Sequence, residues 1–180
     1  DIDHMKEVEN LVDNMDIKYI ITSPYQTLPN IVSSTIYDFP HQFVCGESTI
    51  TILGPRTPMF DDNDDSLIIL LEFLETSILF TGDASIKREQ EILRYFHDTI
   101  DVLKIGHHGS KTSTSMAFVS ALQPKYGIIS TSKNNRYGMP HAEVIEILNM
   151  SRIPYYITSL DGSIKMTIHN GNIQFETFPP

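Results

Sequence analysis

DVLKIGHHGSKTSTS, residues 101–115, is the stretch on which the reading of this chain turns. Val102 to Ile105 reads as a short strand that breaks at Gly106. Two adjacent imidazoles follow, His107 and His108, then Gly109 and a run of hydroxyl residues with one cation, Lys111. Glycines on either side permit backbone angles and close approaches that other residues resist. Imidazole can bind a metal through one nitrogen while its other nitrogen takes a second partner. Ser110, Thr112, Ser113, Thr114 and Ser115 are placed to cap the next helix, whose N-terminus favours an anion such as phosphate. The plainer alternative is a polar loop in which both histidines are merely tolerated.

Composition narrows the field around that stretch. The 180 residues make room for one domain with a proper core, read as spanning 1–180. A formal net charge of -10 argues against a surface that coats nucleic acid. It leaves open an enzyme acting on nucleic acid, because bound divalent cations offset local carboxylates. Cys45 stands alone, which excludes a disulfide scaffold and a cysteine-rich zinc site. No apolar run is long enough for a membrane span, and no signal peptide is visible.

Periodicity predicts an amphipathic helix over about 4–15, a buried strand from Ile17 to Thr22, and loops with short edge pieces over 23–47. Strands are expected at Ser48–Leu53, at 66–73 and at Ser77–Thr81, the last two as an antiparallel pair. Beyond them, helices over 86–96, 115–122 and 142–150 alternate with strands at 102–105, 126–130 and 154–158. Asp161-Gly162 and Asn170-Gly171 mark turns between terminal strands. The pattern is α/β with a mixed sheet.

Three constellations lie where strands or helices meet loops. Asp1-Ile2-Asp3-His4 precedes the first helix; two carboxylates and an imidazole suit a divalent cation, although Asp3 is equally placed to cap that helix. Thr81-Gly82-Asp83 follows an apolar strand, so that Asp83 projects past the strand end, where ligands of open α/β sheets bind. The third is the histidine pair. In the stretch 134–141, Arg136 is placed to hold a phosphate, and His141 stands either there or as the cap of the following helix. His41, His97 and His169 have no supporting context.

In this order the motifs resemble the metallo-β-lactamase-like superfamily. Its signature runs HxHxDH, then a further ligand ahead of a strand, then Gly-Asp at a strand end, then a His in a glycine-flanked loop. Asp1-Ile2-Asp3-His4 matches the last four positions of HxHxDH, with Asp1 in place of the second His. Thr81-Gly82-Asp83 matches the aspartate motif, and Gly106-His107-His108-Gly109 the later histidine motif. Within the superfamily, LKIGHHGSKTSTS (103–115), PKYGIISTSKNNRYGMPH (124–141) and LDGSI (160–164) resemble the C-terminal nuclease-like domain of ComEC competence proteins. These are bacterial membrane proteins that take up single-stranded transforming DNA, and their His-x-Asp-x-Asp-His variant accounts for Asp1. Two departures stand out. Met139 occupies a position where His is common, and Asn63-Asp64-Asp65-Ser66 carries no His, leaving Asp65 or Asn63 as the ligand candidate there.

The resemblance implies an αββα sandwich that is N-terminally truncated here, its first strands and first motif His lying before position 1. It implies two divalent cations, zinc or manganese. Asp3 and His4 would hold one, Asp1 and His107 the other, with Asp83 bridging both. Asp3, Asp83 and His108 are the implied catalytic residues, His108 either completing a site or protonating the leaving oxygen. Lys111, Arg136 and His141 are the implied substrate contacts. The implied substrate is DNA, one strand being degraded during uptake. The implied setting is a soluble extracytoplasmic domain of a bacterial cytoplasmic-membrane protein, with the rest of that channel and other competence proteins as partners. Two other functions stay open: hydrolysis of a small lactone or phosphoester, and a non-catalytic domain that guides DNA.

Overall fold

The computed structural model describes residues 8–17, 19–25, 34–36, 38–169 and 171–179. Asp1, Asp3 and His4 therefore lie outside the described residues. The centre of the molecule is a seven-stranded sheet in which strands follow one another in chain order. It comprises β3 (His41–Cys45), β4 (Ser48–Gly54), β5 (Ile68–Phe73), β6 (Thr76–Phe80), β7 (Val102–Lys104), β8 (Tyr126–Ile129) and β9 (Tyr155–Ile157). From β3 to β6 the pairing is antiparallel; from β6 to β9 it is parallel. The switch has a simple origin: two-residue turns close the β3–β4 and β5–β6 hairpins and a helix-free loop, residues 55–67, joins β4 to β5, whereas each later strand is reached through a helix, and a crossover returns the chain in the same direction. Those crossovers are α2 (Ile86–Ile92), α3 (Met116–Leu122) and α4 (Ala142–Met150), following α1 (Val8–Asn14).

Register fixes which side chains share a face. Leu70, Leu79 and Leu103 lie in one row and enter the core with Ile92, Phe96, Phe118, Leu122, Val144 and Leu148 from the helical layer. The alternate row, Ile69, Phe80, Lys104, Ile128 and Tyr156, turns to the opposite face. There the hairpin of β10 (Ser163–His169) and β11 (Asn172–Phe178) lies over part of the sheet, its Phe175 ring 5.0 Å from Tyr126 and 4.5 Å from Tyr156. A four-residue helix, α5 (Thr158–Asp161), leads into that hairpin. Helices, main sheet and hairpin are three successive layers of the expected αββα sandwich.

Some elements depart from the sequence reading. The expected strand from Ile17 shrinks to β1 (Ile21–Thr22), which pairs in parallel with β2 (Ser34–Thr35) away from the main sheet. Ile17 and Tyr19 are exposed, because an apolar run becomes a strand only where a ladder partner meets it. The stretch read as loops contributes β3, the edge strand of the main sheet. The helix expected over 86–96 ends at Ile92, although Phe96 is still drawn into the core through its backbone bond to Ile92.

Candidate metal-binding site at the strand ends

The parallel half of the sheet places its C-terminal strand ends side by side. Asp83 lies just beyond β6, His107 and His108 just beyond β7, and Ser130 beyond β8. Each loop is held there by its own chemistry. Gly82 has φ +57, and a Cβ on it would stand 2.7 Å from Ser66 Cβ, so only glycine fits. The Gly82 carbonyl accepts from His107 N–H at 3.0 Å, tying the two loops together. Asp83 N–H donates to Ser66 Oγ at 3.2 Å. Gly106 answers a different need. Its backbone passes close to Thr81, whose Oγ1 would lie 3.0 Å from an added Cβ, and Ser113 Oγ donates to its carbonyl at 2.8 Å.

Both histidines adopt left-handed backbone, His107 at φ 46 and ψ 46 and His108 at φ 54 and ψ 21. Non-glycine residues rarely do so, and two in succession mark a constrained turn. Its effect is to bring both rings to one carboxylate. His107 Nε2 lies 3.8 Å from Asp83 Oδ2, and His108 Nε2 lies 4.0 Å from Asp83 Oδ1. His108 Nδ1 is 2.8 Å from the Ser130 carbonyl, which can only accept, so Nδ1 carries a proton and Nε2 is the nitrogen turned toward Asp83. His107 Nδ1 meets the Thr112 hydroxyl at 3.5 Å. An imidazole whose far nitrogen is committed to a carbonyl or hydroxyl is the arrangement found around ligating histidines. One carboxylate and two imidazole Nε2 atoms are donors of the kinds that zinc or manganese takes. They are a partial set: among the described residues no three His, Cys, Asp or Glu side chains are grouped closely enough to hold a metal.

A cavity of about 420 Å³ opens beside Asp83 and His107 and is also lined by Asn63, Lys87 and Thr112. Asn63 thus remains at the site, whereas Asp65 does not. Its Oδ1 accepts from Met59 N–H at 3.1 Å and from the buried guanidinium of Arg88 at 3.3 Å. Arg88, wholly buried, also donates to the Asp64 and Thr57 carbonyls and to the Glu91 carboxylate. A carboxylate that neutralises a buried cation is not free to ligate a metal, and the candidacy of Asp65 ends there.

The helix N-terminus after the histidine loop is likewise taken. Ser115 caps α3, accepting from Phe118 N–H at 3.2 Å, as expected. The anion at that terminus, however, is internal. The buried carboxylate of Glu89 accepts from Thr114 N–H and, at 2.9 Å, from Ser115 N–H. Burial pushes the Glu89 carboxyl up, while those two donors pull it back. The expectation of a phosphate on this terminus is corrected accordingly.

The substrate-contact residues fall around the same loop. His141 precedes α4 but makes no side-chain cap; its Nδ1 instead accepts from Lys111 N–H at 3.1 Å. Its own N–H donates to the Gly109 carbonyl at 2.9 Å. Arg136 and Tyr137 are exposed, the guanidinium stacked 4.6 Å over the ring. Their loop is pinned by Asn135, which bonds Thr131, Ser132 and both backbone groups of Met139. His97 and His169 are exposed, and His41 packs on Phe43. Sequence reasoning missed the roles of Ser66, Ser130 and Asn135, which act through common polar atoms without a motif. It also passed over Lys104, the one charge in the strand Val102–Lys104 and its only legible signal.

Known proteins bear directly on this arrangement. Residues 52–133 match the family profile described as metallo-beta-lactamase superfamily. ComE operon protein 3 of Bacillus subtilis is 40% identical over 131 residues, 72% of this chain and 17% of its own length. Competence protein ComA of Neisseria gonorrhoeae is 29% identical over 116 residues, 63% of this chain and 17% of its own. A crystal structure of a metallo-beta-lactamase superfamily protein from Thermotoga maritima covers 72% of this chain and 66% of its own, with a TM-score of 0.41 and 17% identity. The chain spans less than a fifth of the length of these two curated relatives. With Asp83 and both loop histidines inside the matched segment, the chain carries a segment that matches the metallo-beta-lactamase superfamily and is similar to competence proteins.

Proposed function

We propose that this chain is a divalent-cation-dependent hydrolase of phosphodiester bonds, acting on one DNA strand during competence uptake. In this reading it is an extracytoplasmic domain of a longer membrane protein; among its described residues no helix is long and apolar enough to cross a membrane. The observation that carries the reading is the turn of both Nε2 atoms toward one buried carboxylate, with the His108 tautomer fixed by Ser130.

Asp83, His107 and His108 would hold the cation, joined by Asp1, Asp3 and His4 of the family motif, with two ions in the complete site. When bound, zinc or manganese supplies charge stabilisation for the phosphoryl transition state and a nucleophile near neutral pH. The chain's own groups do the rest. Asp83 anchors the donor set from a nearly buried position. His108 is the more exposed ring, 36% against 21% for His107; where Asp83 and His107 hold the cation without it, its Nε2 is the atom placed to take up a proton and pass it to a leaving oxygen. Lys111, whose N–H bonds His141, and Arg136, five residues before His141, are exposed cations suited to contacts with phosphates. They offset a chain that is otherwise acidic.

The test is direct. Asp83→Asn keeps the size and one oxygen but loses the charge. It should lower DNA hydrolysis by about a hundredfold or more, with the melting temperature little changed. His107→Ala should do the same and His169→Ala nothing; a chelator should abolish activity and manganese or zinc restore it. Wild-type rates for Asp83→Asn would overturn the reading. Cleavage of lactones or small phosphoesters with DNA untouched would favour a small-molecule hydrolase, and DNA binding without cation binding a guiding role.

A further inference from the structure

Lys104 is the exception in its row. It sits at the end of β7, paired in register with Phe80 of β6 and Ile128 of β8, on the face turned away from the helices. Its neighbours in that row are apolar, and an apolar residue would serve packing better, since a half-buried ammonium gives up hydration. Among the described residues it donates to the next residue's carbonyl, Ile105 O, at 3.2 Å. Three residues beyond Lys104 comes His107, and three beyond Phe80 comes Asp83. The two strands therefore carry the lysine and the carboxylate to the same sheet edge. Burial lowers the Lys104 pKa, and the negative charge of Asp83 is what draws it back up.

We propose that Lys104 is a positioning cation of the metal-binding edge, a fixed positive charge beside Asp83 that weakens the hold of the site on divalent cations. This rests on the reading of Asp83, His107 and His108 as cation ligands. The physical reason is short. An ammonium near a carboxylate offsets part of its charge and repels an incoming dication, and with Lys104 half-buried and Asp83 buried, water screens both effects less. Occupancy of the site then follows the supply of the cation instead of being saturated at trace levels.

Isothermal titration with Mn²⁺ alone, on the metal-free protein, separates this from a packing role. Lys104→Gln removes the charge while keeping a donor for the Ile105 carbonyl, and Lys104→Met matches the apolar row. Both should bind Mn²⁺ about tenfold more tightly than the native chain, on the scale of one nearby charge. Lys104→Arg keeps the charge and should stay within about twofold. A structural role predicts the opposite sign, because a loosened edge binds less. Unchanged or weaker binding in both neutral variants, with the native chain and Lys104→Arg binding normally, overturns the proposal and leaves the metal reading intact. No Mn²⁺ binding by the native chain, or binding that survives Asp83→Asn unchanged, overturns both.

Discussion

The fit of Gly82 against Ser66 sets the turn that carries Asp83, and Gly82→Ala tests it. Two costs add. At φ +57 an alanine bears the left-handed penalty, about 1–2 kcal/mol. Its Cβ would also stand 2.7 Å from Ser66 Cβ and 2.8 Å from Ser66 Oγ, and relieving such an overlap in a packed region costs about 1–3 kcal/mol. The sum is about 2–5 kcal/mol, a fall of roughly 5–15 °C in melting temperature for a chain of this size. Because Ser66 Oγ accepts from Asp83 N–H, moving Ser66 also releases the loop that aims Asp83. Mn²⁺ affinity should fall together with stability. Adding Ser66→Gly removes both clashing atoms but leaves the backbone strain. In urea denaturation the double variant should therefore recover the overlap share, minus about 1 kcal/mol for the lost hydrogen bond. If Gly82→Ala unfolds within about 0.5 kcal/mol of the native chain, or Ser66→Gly rescues nothing, the steric account of this turn is wrong.

Two further outcomes concern groups outside the site. Asp101 accepts from Ser77 N–H at 2.8 Å, Ser77 Oγ at 3.1 Å and Lys125 Nζ at 2.7 Å. The lysine is largely exposed, so Lys125→Met should cost under about 1 kcal/mol in denaturant titration, whereas Asp101→Ala, which strips the half-buried Ser77 amide and hydroxyl of their acceptor, should cost about 1–3 kcal/mol. Burial raises the Asp101 pKa, but the Lys125 and Ser77 bonds outweigh it and hold the carboxyl below its usual 3.8. Its contribution is thus complete above pH 3.8 and fades as pH falls through the folded value, so the Asp101→Ala deficit should shrink in acid. Glu89 has the opposite sign. Its raised pKa gives stability that is full below the usual 4.5 and is lost as pH rises through the folded value. Denaturation at stepped pH should show a gain on acidification toward 4.5 that disappears in Glu89→Gln; an unchanged profile refutes it.

Legibility along the chain followed the kind of signal each element carries. The helix at 142–150 and the strands at 48–53 and 126–130 were readable because apolar periodicity and turn residues agree there, and their bounds match to within a residue. Strand β3 was hidden, since an edge strand is half solvated and its HQFVC alternates weakly. Asp83, His107 and His108 were legible as chemistry at strand ends. What the sequence could not carry was competition among equals. Asp64, Asp65, Glu89 and Glu91 look as available as Asp83, yet the buried Arg88 and the Ser85, Thr114 and Ser115 amides or hydroxyls claim them. Which carboxylate is left facing the two histidines depends on which cation and which N–H groups the fold buries nearby. That is a property of the packed chain and not of any local pattern.

The histidine loop shows why this selection matters for chemistry. The sequence places glycines at 106 and 109, and of these only Gly109 takes a positive φ; the strain between them falls on the two histidines. A loop built for stability alone would put glycine or asparagine at those positions, since each left-handed side chain costs on the order of 1 kcal/mol. Two bonds hold the unfavourable turn in place: His107 N–H to the Gly82 carbonyl and His108 Nδ1 to the Ser130 carbonyl. Each comes from a neighbouring strand end of the parallel half. The sheet supplies the restoring contacts, the left-handed turn swings both rings to one side, and Asp83 is the buried carboxylate they meet. Relaxing the turn to ordinary backbone would gain stability and separate the rings from Asp83, so the strained geometry is what the parallel strands are used to maintain.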